Sequence, residues 1–194
     1  MRNRFRHFAF LPMLAAASLA LLAAPQASVA EEHLVTSKSL SPEMALKLAR
    51  ATMAACRKAS LQVAVAVVDR SGVMQVMLRD RFAGPHTPET ARRKAWTAVS
   101  FRTDTTQMAA NTKAGMEASG ARGVTGALML GGGVMVRAGG ALVGGVGVSG
   151  APSGKLDEDC AKTAIAEIQA KVASQRSVLP REALDPVIDL QTGD

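Results

Sequence analysis

The chain has 194 residues, 48% of them apolar and 20% charged, with 23 Lys and Arg against 16 Asp and Glu. That is one domain's worth of chain with enough apolar residues for a core, which excludes a wholly disordered protein.

The first thirty residues stand apart. Arg2, Arg4 and Arg6 precede an apolar run from Leu11 to Ala24, small residues follow at Ser28 and Ala30, and the stretch holds no acid. This is the layout of a secretory leader (residues 1–30) cleaved after Ala30, which predicts a periplasmic or secreted mature protein. As a membrane anchor the run is short, and Pro25 follows it closely. The leader carries three basic and no acidic residues, so its loss lowers the net charge from +7 to +4. No dense Lys/Arg run remains, and nucleic acid is not expected as a partner. No second apolar stretch of spanning length follows.

Residues 31–40 read as a lead-in. Ser41-Pro42-Glu43 then opens a helix with a hydroxyl cap, a proline where no amide bond is needed and an acid at the positive end of the dipole. Met44, Leu48, Ala51 and Ala55 give it one buried stripe, and it ends near Ser60. Val63, Val65 and Val67 start a β-branched run closed by Asp69-Arg70-Ser71-Gly72, and Val73 to Leu78 reads as the returning strand of a hairpin. Arg79 to His86 is a loop. Thr87-Pro88-Glu89 opens a second helix with Ala91, Ala95, Ala98 and Val99 on one side, and Asp104 with Gln107 reads as a capping box for a third. Beyond Gly115 come short strands at Ala127–Leu130, Val134–Val136 and Ala141–Val148, with Ala138-Gly139-Gly140 as the last turn. A final helix begins around Ser153, and an irregular tail is expected over residues 174–194, where Pro180 and Pro186 stand. This order fits an α+β domain over residues 41–173 with about five largely antiparallel strands.

Two cysteines, Cys56 and Cys160, are disulfide candidates in an exported chain. Two buried, unlinked thiols are the alternative. Gly145-Val146-Gly147-Val148-Ser149-Gly150 matches the dinucleotide fingerprint GxGxxG. The parallel strand and ribose-binding acid that the motif needs do not follow, so the glycines are expected to serve close backbone packing. Gly150-Ala151-Pro152-Ser153-Gly154-Lys155 fails as a phosphate loop, with its glycines one residue too close. Asp157-Glu158-Asp159 is either a surface metal-binding cluster or an acidic first helical turn. No catalytic set is legible: two histidines, His33 and His86, follow the leader, and tyrosine is absent.

One region is richer. Phe82, Trp96 and Phe101 are the three aromatic residues beyond the leader, and His86, Arg79, Arg81, Arg92, Arg93, Lys94 and Arg102 lie in or beside the same window. A flat anionic ligand such as haem wants this mixture of apolar walls, cations for carboxylates and an imidazole for iron. The alternative is rings plugging the core beside a solvated cationic helix face.

Val63-Ala64-Val65-Ala66-Val67-Val68-Asp69 with Gly72 resembles the first hairpin of the GlcG/HbpS family of haem-binding proteins. Lys94-Ala95-Trp96-Thr97-Ala98, Gly131-Gly132-Gly133-Val134, the stretch from Gly144 to Pro152 and Asp157-Glu158-Asp159-Cys160-Ala161 extend the resemblance over about residues 40–172. It is similar, too, to the C-terminal domain of PduO-type proteins. The resemblance implies a profilin-like domain, symmetric oligomers that are often octamers, and haem binding linked in some members to redox sensing. The cofactor-site candidates are His86, Arg93, Lys94, Trp96, Thr97, Phe82, Phe101 and Gly132. His86 is the expected iron ligand, with Thr97 and Met108 behind it and His33 as a rival. The expectation is an exported protein for haem capture, buffering or sensing. A small enzyme acting on a carboxylated metabolite and an accessory partner of a membrane sensor are the alternatives.

Overall fold

The computed structural model of the chain describes residues 35–178 and 190–191; the leader and His33 lie outside them. Four helices and five strands follow in the order α1 (Pro42–Lys58), β1 (Ala64–Asp69), β2 (Met74–Arg79), α2 (Thr87–Phe101), α3 (Thr105–Asn111), β3 (Gly133–Ala138), β4 (Ala141–Ser149), α4 (Gly154–Val178) and β5 (Leu190–Gln191). A 3-10 turn at Glu117–Gly123 lies between α3 and β3. The strands form one antiparallel sheet in the order β2-β1-β4-β3-β5. The architecture is α+β.

The strands alternate between two unlike faces, because side chains along a strand point to opposite sides in turn. One face carries Val63, Val65, Val67, Val134, Val136, Val146 and Val148, all packed against α1 and α4. The opposite face carries Ala64, Ala66, Gly133, Gly145 and Gly147, and α2 lies directly on it. An ideal Cβ on Gly145 would come within 2.6 Å of Val99 Cγ2 and 3.0 Å of the Ala95 oxygen. On Gly147 it would run into the Ala91 carbonyl, and on Gly133 into that of Lys94. The glycines of the GxGxxG stretch therefore admit a helix to touching distance.

Cys56 of α1 and Cys160 of α4 are bonded across the valine-side core, with their Cα atoms 5.2 Å apart. Ser41 Oγ accepts the Met44 amide at 3.2 Å and caps α1. Asp69 Oδ1 accepts the amides of Ser71 and Val73 at 2.8 and 2.9 Å, with Gly72 at φ +82°, so this carboxylate is the turn-former of the β1–β2 hairpin. In the lead-in, the Leu40 amide donates to the Val143 oxygen at 3.1 Å, beyond the end of β1, and Gln75 Nε2 donates to the Leu40 oxygen at 3.0 Å.

Three elements depart from the sequence reading. Residues 127–130 are not a strand: their polar groups are held by side chains of α2, and β3 is longer instead, from Gly133 to Ala138. Asp104 does not cap α3; its Oδ1 accepts the Met135 amide at 2.9 Å, fastening the outer edge of β3. Helix α4 runs past Ser174 to Val178, since no proline interrupts it before Pro180, and residues 190–191 pair with β3 within the stretch expected to be irregular.

Candidate functional site

The cationic window is divided among three places. The first is a buried junction beneath α2. Lys94, 1% exposed, donates from Nζ to Asp157 Oδ2 at 2.8 Å and to the Val148 oxygen at 2.9 Å. Asp157 Oδ1 accepts the Ala151 amide at 3.0 Å. Gly132, at φ +114°, presses against Lys94 Nζ and the Asp157 Cβ, leaving no room for a side chain. Burial pushes the Asp157 carboxyl above its ordinary value, opposed by Lys94 and the Ala151 amide. Lys94 and Gly132 are thus committed to the interior, where they hold α2, β3, β4 and α4 together, and neither is presented to a ligand. Lys94 sits three residues from Ala91 and four from Ala98, on the stripe already assigned to the core, which was the available signal.

A second cluster of charge adjoins it. Lys162 Nζ lies 3.2 Å from Asp104 Oδ2 and 3.1 Å from Glu158 Oε1, and Glu158 Oε2 accepts the Thr106 amide at 3.3 Å. Burial raises the Asp104 carboxyl, against the Met135 amide and Lys162. Partial burial works against the Lys162 charge, yet Glu158 and Asp104 hold its pKa above the ordinary lysine value. Asp157 and Glu158 therefore belong to the interior, and the described residues contain no group of three or more His, Cys, Asp or Glu able to hold a metal ion.

The outer side of α2 is the second place, and the chain's own loop covers it. Arg93 donates to the oxygens of Gly126 and Ala127 at 3.3 and 2.5 Å. Thr97, fully buried, accepts the Leu128 amide at 2.9 Å and donates to the Arg93 oxygen at 2.7 Å. Trp96 is half-buried between Gly72 of the hairpin and Gly126 of the loop, and with Phe101 it packs on Met108, Ala127 and Met129. Arg93, Trp96, Thr97 and Phe101 thus fasten residues 126–129, and Met108, 8% exposed, lies inside that cluster.

The loop after β2 is the third place, and it presents its groups outward. Asp80, buried, accepts Arg57 Nε at 2.9 Å and the Val63 amide at 3.3 Å, while its own amide donates to the Val63 oxygen at 2.9 Å. The Ala83 amide donates to the Asp80 oxygen at 3.1 Å, Arg79 donates to the Ala83 oxygen, and Thr87 closes the loop on the Gly84 oxygen through Oγ1 at 2.7 Å. On this fixed backbone Phe82 stands 77% exposed, with the Arg81 guanidinium 5.7 Å from its ring centre. His86 is exposed at the head of α2, makes no capping bond and lies against Gly84, where a Cβ would meet its Cε1 at 2.8 Å. Phe82 is therefore separate from the Trp96–Phe101 cluster, and the three rings do not form one wall. Asp80 and Arg57, which make the loop rigid, carried no sequence motif that marked them.

Residues 40–166 match the family model described as "HbpS-like: Haem degrading protein HbpS-like". Among solved structures, the chain is similar to HbpS at 44% identity and TM-score 0.66, over 70% of this chain and 94% of that one. It is similar to the chain of a PduOC:heme complex at 33% identity and TM-score 0.62, over 66% of this chain and 94% of that one. The corrinoid adenosyltransferase PduO of Citrobacter freundii is 33% identical over 154 residues, 74% of this chain. The chain spans about half the length of that relative, 46%.

Proposed function

Because the chain belongs to the HbpS-like family, we propose that it is an exported haem-binding protein that captures, buffers or senses haem. The observation that carries this reading is the loop anchored by Asp80, which holds an aromatic ring and an imidazole in solvent. The residues present fit the group. Phe82 offers an apolar face for a porphyrin, His86 a nitrogen for its iron, and Arg81, exposed beside the Phe82 ring, a cation for a propionate. Haem, when bound, would supply a redox-active iron; His86 would supply a nitrogen donor, Phe82 an apolar contact and Arg81 counter-charge. Likeness to a protein crystallised as a heme complex supports the same reading, and the basic-then-apolar start of the chain supports export.

Titrating haem into the purified protein tests it. A saturable shift of the Soret band in the natural chain, weakened at least tenfold in His86→Ala, is the expected result. An unchanged free-haem spectrum, or identical binding by the variant, rejects the site.

A further inference from the structure

We infer that the Cys56–Cys160 bond is a thiol-redox control on the loop after β2. Intact, it fixes the turn of α1 that anchors Asp80; opened by a dithiol reductant, it releases the loop. The control itself needs no ligand, and its consequence for haem rests on the haem-binding reading above.

Cys56 and Arg57 are neighbours in the last turn of α1, and each is tied to a different part of the molecule. Cys56 is joined to α4 through Cys160, whereas Arg57 donates from Nε to Asp80 at 2.9 Å, where the loop begins. A second route runs through the main chain. The Cys56 oxygen accepts the amides of Ala59 and Leu61, each at 3.0 Å, and Val63 just beyond is bonded to Asp80 through both its amide and its oxygen. The turn pinned by the disulfide is therefore the turn that holds Asp80. Lys58 also reaches α4, at 3.0 Å from Glu167, but those side chains are 70% and 39% exposed, and such a pair restrains little.

Asp80 turns a loosened helix end into an opened loop. Its carboxylate is buried, and a buried charge that loses its partner must reach water. The loop has to move for that to happen, because Asp80 is its first residue and the Ala83 amide closes on the Asp80 oxygen. Ala45, Leu48 and Ala49 keep the earlier turns of α1 in the core, so the response stays local.

Reduction transfers two electrons and two protons from the dithiol. One of its thiolates attacks Cys160 Sγ, since Cys160 retains some surface and Cys56 has none. A mixed disulfide forms, the bond to Cys56 breaks, and the Cys56 sulfur takes the electron pair and a proton. The second thiol of the reductant then displaces Cys160, which is protonated in turn, and the reductant leaves as a disulfide.

Amide hydrogen exchange of the full chain, oxidised and after dithiothreitol, tests the control without haem. Amides of residues 79–87 should exchange about tenfold faster after reduction. Those of β3 and β4 should keep their rates, as should the fluorescence of Trp96, the single tryptophan, on the other face of the sheet. Cys56→Ala with Cys160→Ala should reproduce the reduced pattern and ignore the reductant. Arg57→Gln should exchange fast in the loop even when oxidised, and reduction should add little. Unchanged loop exchange, an equal rise throughout the domain, or the full effect of reduction retained in Arg57→Gln overturns the inference. Haem is then titrated into the double alanine variant, where no reductant can act on the iron, and should bind several-fold more weakly than to the oxidised natural chain. Equal affinity overturns the consequence for haem alone. Absence of any Soret change in either protein rejects haem binding and leaves the control of the loop to stand or fall on exchange.

Discussion

The ammonium of Lys94 lies 2.8 Å from the carboxylate of Asp157, and both side chains are almost wholly buried. Four stretches of sequence, 94–98, 131–134, 144–152 and 157–161, meet at this pair. The residues that make the family recognisable are therefore largely those that lock α2, the sheet and the start of α4 to one another.

Removing one partner of this pair strands the other charge in the interior. Lys94→Ala should cost about 3–5 kcal/mol, whereas Lys94→Met combined with Asp157→Asn, which keeps an acceptor for the Ala151 amide, should recover much of that loss. Urea unfolding of the three proteins checks the expectation.

Gly147→Ala adds one carbon, yet it should destabilise the fold by about 1–3 kcal/mol or more. The added atom would meet the Ala91 carbonyl, a backbone group of α2 that cannot rotate away. Ala at Gly139, where nothing lies within 4 Å of an added Cβ, is the steric control, although its positive φ keeps some cost there too.

The Cys56–Cys160 bond closes a separation of 104 residues. The chain-entropy account gives such a loop roughly 4–5 kcal/mol, with smaller measured values common. Cys56→Ala with Cys160→Ala should lower the urea midpoint, and reductant should lower the natural protein toward the same value while leaving the variant unchanged.

Burial raises the Asp104 carboxyl above its unfolded value. The stability contributed by this proton is fully present below the ordinary carboxylate range and is lost as pH rises through the folded value. Asp104→Asn cannot ionise, so its stability should fall less between about pH 4 and 7 than that of the natural chain. Unfolding midpoints measured across that range decide the matter.

Much of the fold was legible because local chemistry and tertiary packing agreed. Ser41 caps the helix it precedes, the valine run forms a strand, and Gly139-Gly140 turns the β3–β4 hairpin. Where they disagreed, packing prevailed. Asp104 has the spacing of a cap, but the amide of Met135 at a sheet edge claims it. Residues 127–130 have strand-like composition, but Arg93 and Thr97 take their polar groups. The candidate site was legible as a window of residue types. Its partition was not, because one turn of α2 sends Lys94 inward and Trp96 outward, and linear proximity hides that difference.

Leu40 joins the sheet beside Val143, at the end where β1 finishes with Asp69. Arg79 and Ser149 flank Ala64 at the opposite end, and the loop bearing Phe82 and His86 leaves from there. The domain thus has a polarity: Leu40 joins the sheet at one pole, and the loop proposed to meet haem departs from the other. A contact made at the Leu40 end of the sheet therefore leaves the far end, where that loop departs, uncovered.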